Sequence, residues 1–564
     1  MAKTVVRQTS FAAGELSPLI FGRAEKEIYF SGGDRVRNIY IRPQGGVTAR
    51  YGSKYIGNTA GNAVGRQIAF EFNTEQVYNL VFTAGQFVVY RDDALVATVT
   101  TGVTGLTDAI IAAMDHTQSN DTLILVHPDI PPIRITRTSH TAWTASNITL
   151  SNIPTYDFGS GAETVWSATR GWPRSVTFWQ QRLWFGGSRK RPQTLWGSKI
   201  AGYFDFDLGT GLDDEAIEAT IDNDQSNEIS SLFAGRTLQI FTVGGEYFVP
   251  LNIDGATTPS TVRLERATRH GTNGAKPVSS DGATIFVDAQ GAVVREYLYL
   301  DIEQSYVSDD ISYLSSHLIK NPTSVAIQRA TTQLPASYVY FVNSDGTMAV
   351  LQRQRSQKFL AWALWETDGE YEDVAVVGTD VYVIVKRVIN SATVRFIEKF
   401  DSSYYTDAGI KVTSGSPTDS WTGLGHLEGE EVYVYAVDFP LLNNTVASGA
   451  ITTEKELENI EVGLPWIPTL RTMPIESDRG VISGKRRRIV SANLQLYECD
   501  DIEVNGNSVP LSSLGDITFG EPLPLFTGWK RVYATGYSRA PQLTITRNTA
   551  GNFSLNSLVI EVTV

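Results

Sequence analysis

The chain has 564 residues, 42% hydrophobic and 19% charged, with 47 Lys and Arg against 61 Asp and Glu for a formal net charge of −14. That length suits three or four domain-sized units, each able to bury a core, and the apolar share is too high for general disorder. There is no run of ~18 apolar residues to span a bilayer and no apolar stretch after Lys3 and Arg7 to make a secretory leader. The acidic balance excludes a conventional duplex-DNA binder, which draws its affinity from Lys and Arg on phosphates, and leaves open a surface that DNA passes without sticking.

In chain order, residues 1–60 come first, with Gly14, Gly33, Gly45 and Gly46 permitting positive φ and Pro18 and Pro43 fixing turns. This predicts an ordered but irregular N-terminal arm, lying either on its own domain or on a neighbouring subunit. Residues 61–410 alternate Val, Ile, Tyr, Phe and Thr with polar residues, and turn at Gly, Asp, Asn and Ser. Residues 76–90, 237–250 and 338–351 read as hairpins, turning at Ala84-Gly85, Gly244-Gly245 and Ser344-Asp345-Gly346. Helical spacing is confined to residues 106–113 and 453–460. Strand pairs begin near Phe70, Asp115, Ser175, Ile229, Pro277, Ser324 and Tyr371, a spacing of about 45–60 residues that matches a four-stranded propeller blade. No fixed repeat signature accompanies it, so a set of β-sandwiches is the rival reading. Residues 411–564, with a strand at EVYVYAV and turns at Pro465, Pro468 and Pro474, read as a separate unit. The expected fold class is therefore mainly β, a propeller-like array of β-sheets with an additional C-terminal β domain and an irregular N-terminal arm.

Catalytic signals are poor. There is no G-x-S-x-G elbow, P-loop or H-E-x-x-H, the six histidines show no zinc-like spacing, and no cofactor or metal is expected. The single cysteine, Cys499, cannot form an intrachain disulfide and fits a reducing cytosol. An acidic run holds Asp213, Asp214, Glu215, Glu218, Asp222 and Asp224. It reads as a solvated outer loop or as glycosidase carboxylates. Trp166, Trp172, Trp179, Trp184 and Trp196 fall close together; alternation in VTFWQQRLWFGG sends them to opposite faces of a blade packed on both sides, whereas an exposed array would suit glycan binding. Basic clusters stand at Arg189-Lys190-Arg191 and at Lys485, Arg486, Arg487 and Arg488. The second is taken as a subunit contact, because charges so dense repel unless something opposes them.

The most specific pattern is N-terminal: Phe11, Gly14, Glu15, Leu16, Ser17 and Pro18 in F-x-x-G-E-L-S-P, then Gly22-Arg23, Tyr29-Phe30-Ser31-Gly32, Arg37-Asn38, Pro43-Gln44-Gly45-Gly46 and Arg50-Tyr51-Gly52. With 117-TQSND-121, 181-QRLWFGGS-188, 196-WGSK-199, 462-VGLPW-466 and 472-TMP-474, this order resembles the tail tubular protein B, or nozzle, family of short-tailed bacteriophages. The resemblance implies a non-enzymatic virion protein of the viral tail, assembled in the host cytoplasm. It would form a homohexamer below the portal, bound to the head-to-tail adaptor ring and to tail fibres or spikes. Its DNA channel would retain the packaged genome, conduct double-stranded DNA during genome ejection, and meet the host envelope at infection. Phe11 to Arg23 is then the candidate docking arm and Asp213 to Asp224 the candidate acidic lumen loop. A receptor- or glycan-binding propeller, with exposed tryptophans, and a propeller hydrolase, with paired carboxylates in a central pocket, are the alternatives.

Overall fold

The computed structural model describes residues 3–222, 227–252, 255–436, 439–440, 443–476, 486–512, 524–533 and 537–563. Successive antiparallel four-stranded sheets cover residues 66–99, 115–147, 175–220, 229–268, 278–310 and 324–365. A seventh, from Glu370–Val377, Asp380–Ile389 and Ala392–Asp401, takes its fourth strand from Gly52–Asn58 near the start of the chain. These are propeller blades one to seven.

Period-two alternation explains how the blades stack, since neighbouring residues on a strand point to opposite faces. In blade one, Leu80 and Phe82 join Leu123 and Leu125 of blade two, while Val81 between them joins Ile384 and Ile397 of blade seven. In blade two, Ile124 and Val126 face Val176 and Phe185 of blade three, whose Trp184 meets Leu232 and Ile240 of blade four. Phe241 packs on Phe286 and Tyr297 of blade five, Ile285 and Val287 on Val339 and Phe341 of blade six, and Tyr338 and Tyr340 with Val381 and Val383 of blade seven. The clusters form a closed circle, so the β-sandwich reading gives way to a propeller.

The three expected hairpins are present; two turn where the sequence indicated, and the second turns one residue earlier, at Val243-Gly244, because Gly245 already pairs with Thr242. The helix over 106–113 forms only as Asp108–Ala113, capped by Thr107, and fills the space between blades one and two with Ile110 and Ile111. The helix expected over 453–460 is instead part of the strand Ala450–Leu464. Ile451, Ile460, Val462 and Leu464 pack there with Trp421 and Val434, a tertiary contact that overrides the helix-forming Glu and Lys between them.

The last part of the chain grows from the outer strands of blades six and seven. Blade six continues through Gly14–Glu15, Gly32–Arg37, Thr469–Thr472, Thr544–Thr546, Glu503–Val504 and Asn507–Ser508 into one ten-stranded sheet. Blade seven continues from Gly52–Asn58 into the ribbon of Asp407–Thr422 and Ala450–Leu464. A six-stranded sheet joins Ile39–Ile41, Val47–Ala49, Ser554–Thr563, Arg488–Cys499 and Phe526–Tyr533, with Lys3–Gln8 paired to Ser554–Thr563. One core contains Phe11 and Tyr40, Tyr338 and Val383, and Leu494 and Leu558, so all three sequence segments meet in it. The arm is irregular mainly over residues 9–31; on either side it supplies strands whose partners lie hundreds of residues away.

Candidate functional site

The motif F-x-x-G-E-L-S-P sits where blade six meets the C-terminal sheets. Gly14 has φ +69°, and a Cβ there would lie 2.5 Å from the backbone N and O of Trp362, so only glycine allows the close pairing. The Glu15 carboxylate is buried. It accepts from the Val36 N–H at 2.7 Å and lies 2.9 Å from both Arg37 Nη2 and His317 Nε2. Ser315 Oγ donates to the Glu15 carbonyl at 2.6 Å. One side chain thereby ties the strand Gly32–Arg37 to the link between blades five and six. Phe11 and Leu16 are fully buried, and Ser17 caps the turn Pro18–Ile20 by accepting from the Leu19 N–H. Pro18 and Arg23 are exposed, Leu19 is 92% exposed, and Arg23 pairs with its near neighbour Glu25. The arm is thus a strap on its own chain through Ser17; beyond it, residues 18–27 are largely open to solvent.

The acidic run lies on the outer rim of blade three, around its last strand, Ile217–Thr220. Glu215 accepts from the N–H groups of Thr210, Gly211 and Leu212 at 2.6–2.7 Å; these bonds, led by that of Leu212, hold its pKa below the usual carboxylate value. Glu218 accepts from Arg191 at 2.6 Å and from Trp196 Nε1 at 3.0 Å. Asp213, Asp214 and Asp222 are exposed; Asp224 lies outside the described residues. Of the second basic cluster, Lys485 also lies outside them, Arg486 is exposed and Arg488 half-buried. Arg487 turns inward, fully buried, with its guanidinium 3.0 and 2.8 Å from the Glu476 carboxylate and 2.6 Å from the Arg539 carbonyl. It is held inside its own chain and is not a surface for another subunit. Arg189 pairs with Asp129.

Trp166, Trp179, Trp184 and Trp196 are buried and Trp172 is half-buried, which removes the exposed tryptophan array. Among the described residues no three metal-ligating side chains come together. A cavity beside blades six and seven is lined by Asp380, Lys399 and Asp401, but Lys399 lies 3.4 Å from Asp380 and 2.6 Å from Asp93.

Two carboxylates tie the propeller near its axis, and sequence reading assigned neither a role. Asp115, in the innermost strand of blade two, accepts from the Val176 N–H of blade three at 3.0 Å and lies 3.0 Å from Lys276 Nζ, which also donates to the His116 carbonyl. Lys276 precedes blade five, on the opposite side of the ring, so this ion pair spans the axis. A passage bridged by one lysine side chain cannot admit duplex DNA, whose major groove alone is about 12 Å wide. Burial, with Lys276 and Arg66 nearby, holds the His116 pKa well below its usual value. A contact across 160 residues leaves no local signal in the sequence.

The second tie is Asp373 of blade seven, which accepts from the Gln67 N–H of blade one and from Ser324 Oγ of blade six. Burial raises its pKa to about 6. A raised carboxylate pKa favours folding most below the unfolded value and loses that contribution as pH rises through 6. The stability of wild type relative to Asp373→Asn is therefore expected to grow by about 2–3 kcal/mol as pH falls from 7 to 4, at 1.36 kcal/mol per pKa unit. Urea unfolding of both proteins across that range checks it.

No protein-family model matches the chain, and no curated protein does. Solved structures overlap it in part. The RRP9 WD40 repeats share 7% identity at TM-score 0.39, covering 63% of this chain and 100% of that one. BBS1N, from its complex with ARL6DN, gives 10% and 0.38, covering 63% and 98%. The β-propeller domain of Myceliophteria thermophila Cps50 (Swd1) gives 8% and 0.36, covering 62% and 99%. The propeller rests on its own sheet order and closed circle of cores.

Proposed function

We propose that this chain is a structural, non-catalytic subunit of a phage tail nozzle, built as a ring of six copies beneath the portal and adaptor, which retains the packaged genome and conducts DNA at ejection. The observation that carries this reading is the use made of the N-terminal motif. Its buried residues, Phe11 to Ser17, serve architecture, pinning the propeller to the C-terminal sheets. Chemistry that would suit a hydrolase or a lectin has no support in the carboxylates and tryptophans described above. The exposed residues beyond them, Pro18, Leu19, Phe21, Gly22 and Arg23, are the part of the arm free to meet the adaptor. Fibres or spikes and the host envelope are the other partners of such a ring.

In this reading the channel lies between copies, because the propeller axis is bridged by Lys276 and Asp115. Among the described residues of the acidic run, Asp213, Asp214 and Asp222 are solvent-exposed and are the carboxylates this reading turns toward DNA. A wall of carboxylates repels phosphate and releases few counterions, so a duplex slides instead of binding. Mass photometry of the purified chain, alone and with the adaptor protein of the same genome, tests the proposal. A species of six copies, alone or on adding adaptor, is expected; a monomer under both conditions overturns the reading.

A further inference from the structure

Among the described residues, the C-terminal sheet leaves one face uncovered. Strands Lys3–Gln8, Ser554–Thr563, Arg488–Cys499 and Phe526–Tyr533 lie side by side. Val532, Ala492 and Ile560 point into the core. On the other side the register aligns Tyr533, Ser491, Glu561 and Val5 in one row and Arg531, Asn493, Val559 and Arg7 in the next, with Trp529 beside Gln495 beyond. Trp529 is 54% and Tyr533 74% exposed. Arg486 and Arg488 stand at the same end as Tyr533. Glu561 faces these cations in the register and pairs with Arg531 at 3.1 Å, so among the described residues Arg7, Arg486 and Arg488 leave the face basic as well as aromatic on a chain of net charge −14. Trp, Tyr and Arg are the side chains that anchor protein interfaces. The strand Phe526–Tyr533 is also an edge, without a further partner among the described residues and without proline to protect it.

The ribbon of Asp407–Thr422 and Ala450–Leu464 supplies a complementary surface. Its register slips between Thr413 and Thr418 and again between Thr418 and Ser420, and the extra residues form a knob on which Asp419, Glu454, Glu456 and Glu458 are exposed. The knob is held in shape by the buried Thr453 hydroxyl, which accepts from Trp421 Nε1 at 3.2 Å and donates to the Lys455 carbonyl at 2.8 Å. A preformed surface spends little ordering entropy on docking.

We propose that the acidic knob of one copy seats on the basic aromatic sheet face of the next copy. Two different surfaces of one chain meeting in this way form a heterologous contact, the kind that closes a ring. The proposal rests on the ring reading above and deepens it.

Charge reversal with mass photometry tests it. Arg7→Glu/Arg486→Glu and Glu454→Lys/Glu456→Lys are each expected to weaken assembly at least tenfold, and the quadruple variant to restore it, with thermal melts confirming that every variant folds. In parallel, Glu456→Cys/Tyr533→Cys is expected to give interchain disulfides on mild oxidation. The native Cys499 will not interfere, since burial pushes its thiol up to about 11. Rings that persist in both double variants, or a folded quadruple variant that stays dispersed, overturn the interface while leaving the ring reading intact. So does a duplex gel shift by wild type that Arg7→Glu/Arg486→Glu abolishes without affecting rings, which would assign the face to nucleic acid. A wild-type chain that never assembles overturns both.

Discussion

Arg50→Met is expected to destabilise the chain by about 3–5 kcal/mol, the cost of removing one partner of a buried ion pair. The Arg50 guanidinium meets Asp407 through two parallel bonds, at 2.8 and 2.6 Å, with both side chains 1% exposed or less. It also stacks 4.2 Å from the Trp466 ring. Asp407 accepts from Thr367 Oγ1 at 2.7 Å, and Ser53 Oγ links it to the neighbouring Arg387–Glu398 pair. This network joins the closing strand of blade seven to the start of the ribbon, so its loss loosens the propeller where it shuts. Burial opposes ionisation of Asp407, but the Arg50 charge prevails and holds its pKa below the usual carboxylate value. The pair's contribution is therefore present above the unfolded pKa of ~3.9 and lost as pH falls through the lower folded value. The damage in Arg50→Met should shrink in acid, where a protonated Asp407 is no longer a stranded charge. Urea unfolding at pH 7 and pH 4 measures this, and Arg50→Met/Asp407→Leu is expected to recover part of the loss. A single variant indistinguishable from wild type at pH 7 would refute the argument.

Gly14→Val is expected to cost about 2–5 kcal/mol, combining ~1–2 for a left-handed backbone with ~1–3 for overpacking. Both contributions are forced, because φ is +69° and the new Cβ would strike the backbone of Trp362, which has no flexible end to move aside. Gly22→Ala is the matched control. Gly22 has φ +79°, yet nothing lies within 4 Å of its Cβ direction, so only the backbone cost of about 1–2 kcal/mol should appear. Denaturant midpoints of the two variants compare them, and equal losses would show that the contact with Trp362 carries no weight.

The propeller was legible because its signals are local. Hairpins announce themselves through a turn such as Ser344-Asp345-Gly346 between alternating strands, and the seven strand pairs read from Phe70 to Tyr371 fall at the starts of the seven blades. The alternation in VTFWQQRLWFGG likewise foretold the burial of Trp184 on one side of blade three and Phe185 on the other. What sequence could not supply is pairing at a distance. Gly52–Asn58 carries no strand signal stronger than its neighbours and becomes a blade strand only because residues 396–401 offer an open edge. The helix expected over 453–460 failed for the same reason, its Glu and Lys favouring a helix that the packing of Ile460 and Val462 forbids. In the candidate sites, the residue types of the N-terminal motif were legible, but their division into a buried pin and an exposed tip was not. Arg487 looked like its exposed neighbour Arg486 until Glu476 was placed beside it.

The strand that closes blade seven also orders events at the ribosome. Ser53 must wait for Phe400, its partner across the ladder, and at 5–20 residues per second that delay is roughly 20–70 s. During it, blades one to six can assemble in the order they emerge, while the arm and the last blade remain unmatched. A nascent chain interrupted before residue 400 keeps an open rim, and contacts of such long sequence separation form slowly. Synthesis through residue 401 thus becomes the condition for a closed propeller, and a product truncated before it lacks the ladder that seats the fourth strand of blade seven.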